Sequence, residues 1–157
     1  MKRKLFIALF ILMVAVLTAC NDDGKKEDGL ALLKTTNPAP MSVKKDSKKE
    51  QDLIHSIEKD IEEFDEIYDV AVLKGKEDVL VAYKVKHMQR FYMKRIEKEM
   101  LDLLEKKYPD ENFTVSSDYK IFLEAVELEE NMKDPDYSTK KAEKKLKEII
   151  RLKKELT

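Results

Sequence analysis

One cysteine, at position 20, decides how the rest of this chain can be held together. Lys2-Arg3-Lys4 opens the sequence, and an unbroken apolar run, Leu5 to Leu17, leads almost directly to Cys20. A basic end stays on the cytoplasmic side while the apolar run enters the bilayer. Leu17-Thr18-Ala19-Cys20 then reads as a bacterial lipobox: an aliphatic residue, two small residues and a thiol. The small residues give a peptidase access to the backbone. A membrane span needs about 20 apolar residues, and a shorter run suits the core of a signal peptide. Residues 1–19 are therefore expected to be a signal peptide, and Cys20 the lipid attachment point, carrying palmitate or a similar acyl chain. With no second cysteine there is no internal disulfide. The remainder must fold on apolar burial and backbone hydrogen bonds alone.

The rest is heavily charged. Charged residues make up 40% of the chain and the mean hydropathy is −0.53, the composition of a wet surface around a small core. Without the three basic residues of the signal, 28 basic residues face 32 acidic ones, a formal charge of −4. Residues 47–132 carry a net −8 and residues 133–157 a net +4. The basic tail is too short and too mixed to argue for nucleic acid.

Residues 20–46 have the composition of a lipidated, disordered tether, rich in Asn, Asp, Gly, Lys and Glu and broken by Asn37-Pro38-Ala39-Pro40. As a coil, such a segment has an r.m.s. reach of roughly 25–30 Å. Leu30-Ala31-Leu32-Leu33 within it is either an incidental apolar patch or a docking or membrane-surface segment.

Ser47-Lys48-Lys49-Glu50 fits a capping box, and Leu53, Ile54, Ile57, Ile61, Phe64 and Ile67 follow at helical spacing. Residues 68–73 and 79–85 alternate about Lys74-Gly75-Lys76-Glu77-Asp78, a hairpin signal. The first strand is apolar on most of both faces and belongs at the centre of a sheet. A second helix is expected from about Met88 to Tyr108, burying Tyr92, Met93, Ile96, Met100, Leu103 and Leu104, and Pro109 ends it. Phe113 and Val115 mark a third, edge strand; Ser117 or Asp118 caps a third helix with Phe122, Ala125, Val126 and Leu128 inward. After Asp134-Pro135-Asp136 comes a basic amphipathic helix, capped by Ser138, with Ala142, Leu146, Ile149, Ile150 and Leu156 on one stripe. This predicts an α+β domain of order αββαβα over 47–132. It has a three-stranded mixed sheet with helices on one face, and its third strand crosses over right-handedly to run parallel to its predecessor. The helix in 133–157 lies outside that domain, and could dock on it, lie on a membrane, or pair with a partner helix.

Several stretches together resemble the YhcN/YlaJ sporulation lipoproteins of endospore-forming bacteria. They are the lipobox, the Val/Ala hairpin, Arg90-Phe91 leading into Lys94-Arg95-Ile96-Glu97-Lys98, Tyr108-Pro109, and Val115-Ser116-Ser117-Asp118-Tyr119-Lys120-Ile121. The likeness spans roughly residues 1–25 and 55–130 and is spread over several elements. It implies a lipoprotein of spores or of germination, held on the outer face of the cytoplasmic membrane or a spore membrane, with no enzymatic activity. Only Cys20 carries a family role across.

The residues themselves supply no catalytic constellation and no implied cofactor. His55 and His87 fall in different elements and no free cysteine can join them, so the convergence of ligands that a metal needs is missing. The carboxylates of the first helix lie on a polar face, where a split pair of pKa values is not expected. A cell-wall hydrolase, or a direct modulator of one, is the rival from the enzyme class; a general envelope lipoprotein unrelated to spores is the third reading. One stretch breaks a local rule. Val79 to Ile96 contains no acidic residue while Lys84, Lys86, Arg90, Lys94 and Arg95 gather there, at the start of a helix without a Ser, Thr, Asp or Asn cap. Cations at a helix N-terminus oppose its dipole. Lys84, Lys86, Arg90, Lys94 and Lys98 are thus the candidate contact for an anionic partner: lipid headgroups, a wall polymer or an acidic envelope protein. The competing explanation is a solvated or internally neutralised face.

Overall fold

The computed structural model describes residues 38–43 and 48–156, which fall within one compact unit. The signal peptide, Cys20, Leu30–Leu33 and the Ser47 cap lie outside the described residues. Nine elements follow in order: β1 (Met41–Ser42), α1 (Lys48–Glu62), β2 (Ile67–Lys74), β3 (Asp78–Val85), a 3-10 turn (His87–Tyr92), α2 (Met93–Lys107), β4 (Asn112–Ser116), α3 (Tyr119–Lys133) and α4 (Thr139–Glu155).

The sheet has four strands in the order β1-β2-β3-β4, not three. The hairpin β2–β3 is antiparallel, with Ala71 opposite Ala82 and Val72 opposite Val81. β4 is an edge strand parallel to β3, as the crossover rule requires, and pairs Val81 with Val115. The added strand is β1, which pairs Met41 with Leu73 and Ser42 with Lys74 in parallel. The Val43 N–H donates to the Lys74 carbonyl at 2.8 Å. Two strand residues are too few to show alternation, so in the sequence residues 41–43 are indistinguishable from the tether.

Helices cover both faces of the sheet. On one face Ile54, Ile57 and Ile61 of α1 and Ile96, Met100 and Leu104 of α2 pack on Val70, Val72, Val79, Val81 and Tyr83. Each such fully buried aliphatic chain contributes about 1.5–3 kcal/mol. On the other face Ile121, Phe122, Ala125 and Leu128 of α3 join Ala142, Leu146, Ile149 and Ile150 of α4 over Ala71, Leu73, Leu80 and Ala82. Full coverage explains why β2 and β3 are apolar on both sides: alternate residues face two different cores. It also corrects the expectation of helices on one face; α4, within residues 133–157, packs into the second core.

The contact of α4 with the sheet is close. A Cβ on Gly75 would meet a methyl of Leu146 at 2.7 Å and the Glu143 carboxylate at 3.0 Å. Glu143 in turn accepts the Lys76 N–H at 2.8 Å. Gly75 is thus required less by the turn than by the helix lying over it. Asp118 caps α3, accepting from Lys120 N–H at 2.7 Å and Ile121 N–H at 3.3 Å. Ser138 caps α4 through Lys141 N–H at 3.3 Å.

Candidate functional site

Where β3 ends, the chain does not pass straight into α2. Lys86 is extended, its N–H bonded to the Glu66 carbonyl, and its ammonium donates to the Asp65 carbonyl. Residues 87–92 then turn as a 3-10 helix before the α-helix begins at Met93. Neither start has a side-chain cap. A 3-10 segment has three residues per turn instead of 3.6, so the stripe expected from Tyr92 does not continue inward. Ile96, Met100 and Leu104 are buried, but Tyr92 and Met93 are exposed, and Met88 and Phe91 more so, at 74% and 90%.

The five basic residues singled out from the sequence have different fates. Lys84 points into the α3 side of the sheet and is buried. Its ammonium lies 2.7 Å from the Asp69 carboxylate, over the rings of Phe122 at 4.4 Å and Tyr68 at 5.3 Å. Asp69 and Lys84 are direct partners across the β2–β3 ladder. Lys84 is therefore not a contact for an outside anion. Lys86 is exposed but holds the α1–β2 turn. Lys98 is exposed, 4.0 Å from Asp102 one turn on. Arg90 and Lys94 are exposed and meet no carboxylate among the described residues. Arg90 lies in the 3-10 turn, and Lys94 and Lys98 lie in α2. Arg95, beside them, lies 3.9 Å from Glu66 and 3.8 Å from Glu99 and stacks on Tyr92 at 4.8 Å.

Arg90 and Lys94 are exposed in one continuous stretch with Met88, Phe91, Tyr92 and Met93. Tyr92 and Met93, expected in the buried stripe, are exposed instead. The signal was in the sequence: Met88 and Phe91 lie off the Ile96–Met100–Leu104 stripe, and the uncapped start argued against a regular helix there.

Next to this surface runs an open groove of about 700 Å³ between α2, the loop after β4 and the end of α4, lined among others by Met93, Lys94, Lys98, Ser117 and Leu156. Glu97 and Lys153, 3.2 Å apart, join α2 to α4 across it. Below, the fully buried Tyr83 hydroxyl approaches Ser117 without reaching hydrogen-bond geometry. Burial pushes its phenol well above the usual tyrosine range, with Ser117 offsetting part of the effect.

Carboxylates concentrate at the opposite edge. Glu129 is buried, accepts the Ala39 N–H at 3.1 Å and pairs with Lys133 at 3.2 Å. Glu50 accepts the Ser42 hydroxyl at 3.0 Å. These bonds tie β1 and the residues before it to α1 and α3. Burial and then the neighbouring Glu62 raise the Glu58 carboxyl above its ordinary value, while His55, 3.5 Å away, partly opposes this. His55 and His87 remain in separate elements, and no group of three potential metal ligands converges among the described residues. No described helix is long and apolar enough to cross a membrane.

No family model, no curated protein and no solved structure matches this chain.

Proposed function

We propose that this chain is a non-enzymatic, lipid-anchored envelope protein of the sporulation-lipoprotein kind, acting by contact at the outer face of the cytoplasmic or spore membrane. The anchor reading comes from the lipobox ending at Cys20, and the spore association from the resemblance in residues 1–25 and 55–130. The observation that carries action by contact is the juxtaposition of Arg90 and Lys94 with the exposed Met88 and Phe91. A surface holding unneutralised cations among uncovered apolar side chains is built for a partner that is both anionic and apolar. The hydrolase alternative gains no support from the carboxylates of the β1 edge, because Glu129 and Glu50 are engaged by backbone, lysine and serine.

The test is metabolic labelling with palmitate in a bacterium that processes lipoproteins. The parent chain should take up label and appear in the membrane fraction, and Cys20→Ser should do neither. Labelling of the serine variant at this site would refute the anchor. Expression unlinked to sporulation would leave a general envelope lipoprotein.

A further inference from the structure

The 3-10 turn between β3 and α2 carries the exposed Met88, Arg90 and Phe91, and Lys94 follows in the first turn of α2. We propose that Met88 and Phe91 enter the headgroup region of an anionic membrane while Arg90 and Lys94 pair with its phosphates. The proposal rests on the reading of the chain as membrane-anchored, and adds to it a second, protein-borne contact.

The first argument is shape. Phe91 is 90% exposed and Met88 74%, so these side chains project from the surface instead of lining a depression. Projecting apolar groups suit insertion into a fluid phase; docking of a partner's side chain needs a concavity. The second is the mixture of residue types. Cations interleaved with Met, Phe and Tyr over one short segment match an interfacial element, in which apolar tips are buried in the acyl boundary and charges stay at headgroup level. Tyr92, half exposed beside them, has the apolar ring and polar tip that favour that depth.

The third is charge. The acid-free stretch from Val79 to Ile96 stands in a folded unit whose residues 47–132 carry a net −8 and whose residues 133–157, which include α4, carry a net +4. An anionic surface repels the acidic parts of such a unit and attracts this one; the basic outer face of α4 is the competing surface, against which position 140 serves as the reference. The fourth is geometry of attachment. Twenty-one residue steps separate Cys20 from Met41, at most about 75 Å of chain, so an anchored unit is confined near the membrane at high effective concentration. β1 runs parallel to β2, so Pro38–Pro40 lie on the side of Met41 that faces the Ile67–Val85 end of the sheet, the end bearing the turn. Weak surface contact then suffices to hold the unit down.

The experiment uses the full acylated chain carrying Met88→Cys, labelled with an environment-sensitive fluorophore and reconstituted into vesicles with brominated acyl chains. Lys140→Cys, on an exposed position of α4, is the reference. An acylated Cys20 leaves one thiol to label; two labels per chain would mark failure of the anchor reading and not of this one. In phosphatidylglycerol-containing vesicles, bromine quenching is expected several-fold stronger at position 88 than at 140. It should fall with salt, and fall in pure phosphatidylcholine. Arg90→Gln with Lys94→Gln should cut occupancy of the bound orientation about 25-fold, roughly fivefold for each cation. Equal quenching at 88 and 140 in anionic vesicles would overturn the proposal in favour of a protein partner for the turn. Equal quenching of position 88 in neutral and anionic vesicles would overturn the role of charge.

Discussion

Lys84 and Arg90 lie six residues apart, carry the same charge and came from the same acid-free stretch, yet one is buried and the other is exposed. Lys84 sits on a central strand whose both faces are covered, so its ammonium leaves water and needs a partner. Asp69 supplies one from the adjacent strand at 2.7 Å, with two aromatic rings closing around it. Arg90 sits past the end of the strand, where the chain turns outward before α2. A run of like charge in sequence is therefore not a patch in space. What separates its members is whether the layer above each residue exists.

The largest expected effect tests the buried half of that contrast. Lys84→Met removes the ammonium that lies 2.7 Å from the buried Asp69 carboxylate, and breaking a buried pair from one side should cost about 3–5 kcal/mol in denaturant unfolding. Adding Asp69→Leu should recover most of the loss, because an apolar pair of similar volume is often neutral or better than a buried ion pair. A single variant that loses less than about 1 kcal/mol would show that Lys84 reaches solvent, and the contrast with Arg90 would collapse.

The layer that covers Lys84 comes next. α3 and α4 form that layer, and Leu146, buried in its core, packs against the hairpin turn at Gly75. Leu146→Ala should cost about 2–5 kcal/mol, measured in the same way. Removing residues 134–157 should abolish cooperative unfolding, since Ala142, Leu146, Ile149 and Ile150 would be lost from the core on that face. A helix that merely leaned on the surface would make Leu146→Ala nearly silent.

The element order, the central position of the hairpin's first strand and the edge position of β4 were legible from periodicity. Strands apolar on both faces were the clue to two covered faces, and Lys84 in such a strand was a clue to an internal partner. The two-residue β1 gave no periodic signal; its place depends on long-range bonds such as Ala39 to Glu129. The basic tail read as separate because Pro135 and a change of charge precede it, but charge describes the outer face of α4 and says nothing of its inner one. Of the candidate site, Arg90 and Lys94 were visible as charges. Their apolar neighbours were not, because a helical period was extended into a 3-10 turn.

Glu58 lies between the two extremes, on α1 and largely covered. Burial, followed by Glu62, raises its carboxyl above the ordinary value, and His55 opposes this. The native state then keeps a proton over a pH range where the unfolded chain has already released it. Stability owed to this group is therefore greatest at acidic pH and falls as pH rises through the raised native pKa. Glu58→Gln should remove that slope and leave the protein equal or slightly more stable at neutral pH, within about 0.5 kcal/mol. Unfolding followed from mildly acidic to neutral pH checks it, and an unchanged slope would place the titration elsewhere.

The smallest effect belongs to the exposed half. Lys94 is in the first turn of α2, near the positive end of the helix dipole, with no carboxylate among the described residues to offset it. Such a placement costs a few tenths of a kcal/mol at an exposed site. Lys94→Gln should therefore leave thermal stability unchanged or slightly higher. Arg95, one residue on, supplies the internal control. It approaches Glu66 and Glu99 and covers the Tyr92 ring, so Arg95→Gln should lose up to about 1 kcal/mol. The two variants differ in charge by nothing, and their unfolding midpoints should still separate, with the Arg95 variant lower. If Lys94→Gln were the one to unfold earlier, the exposed cation would be holding structure, and the division between a buried lysine that stabilises the fold and surface cations held ready for an anionic partner would fail at its outer end.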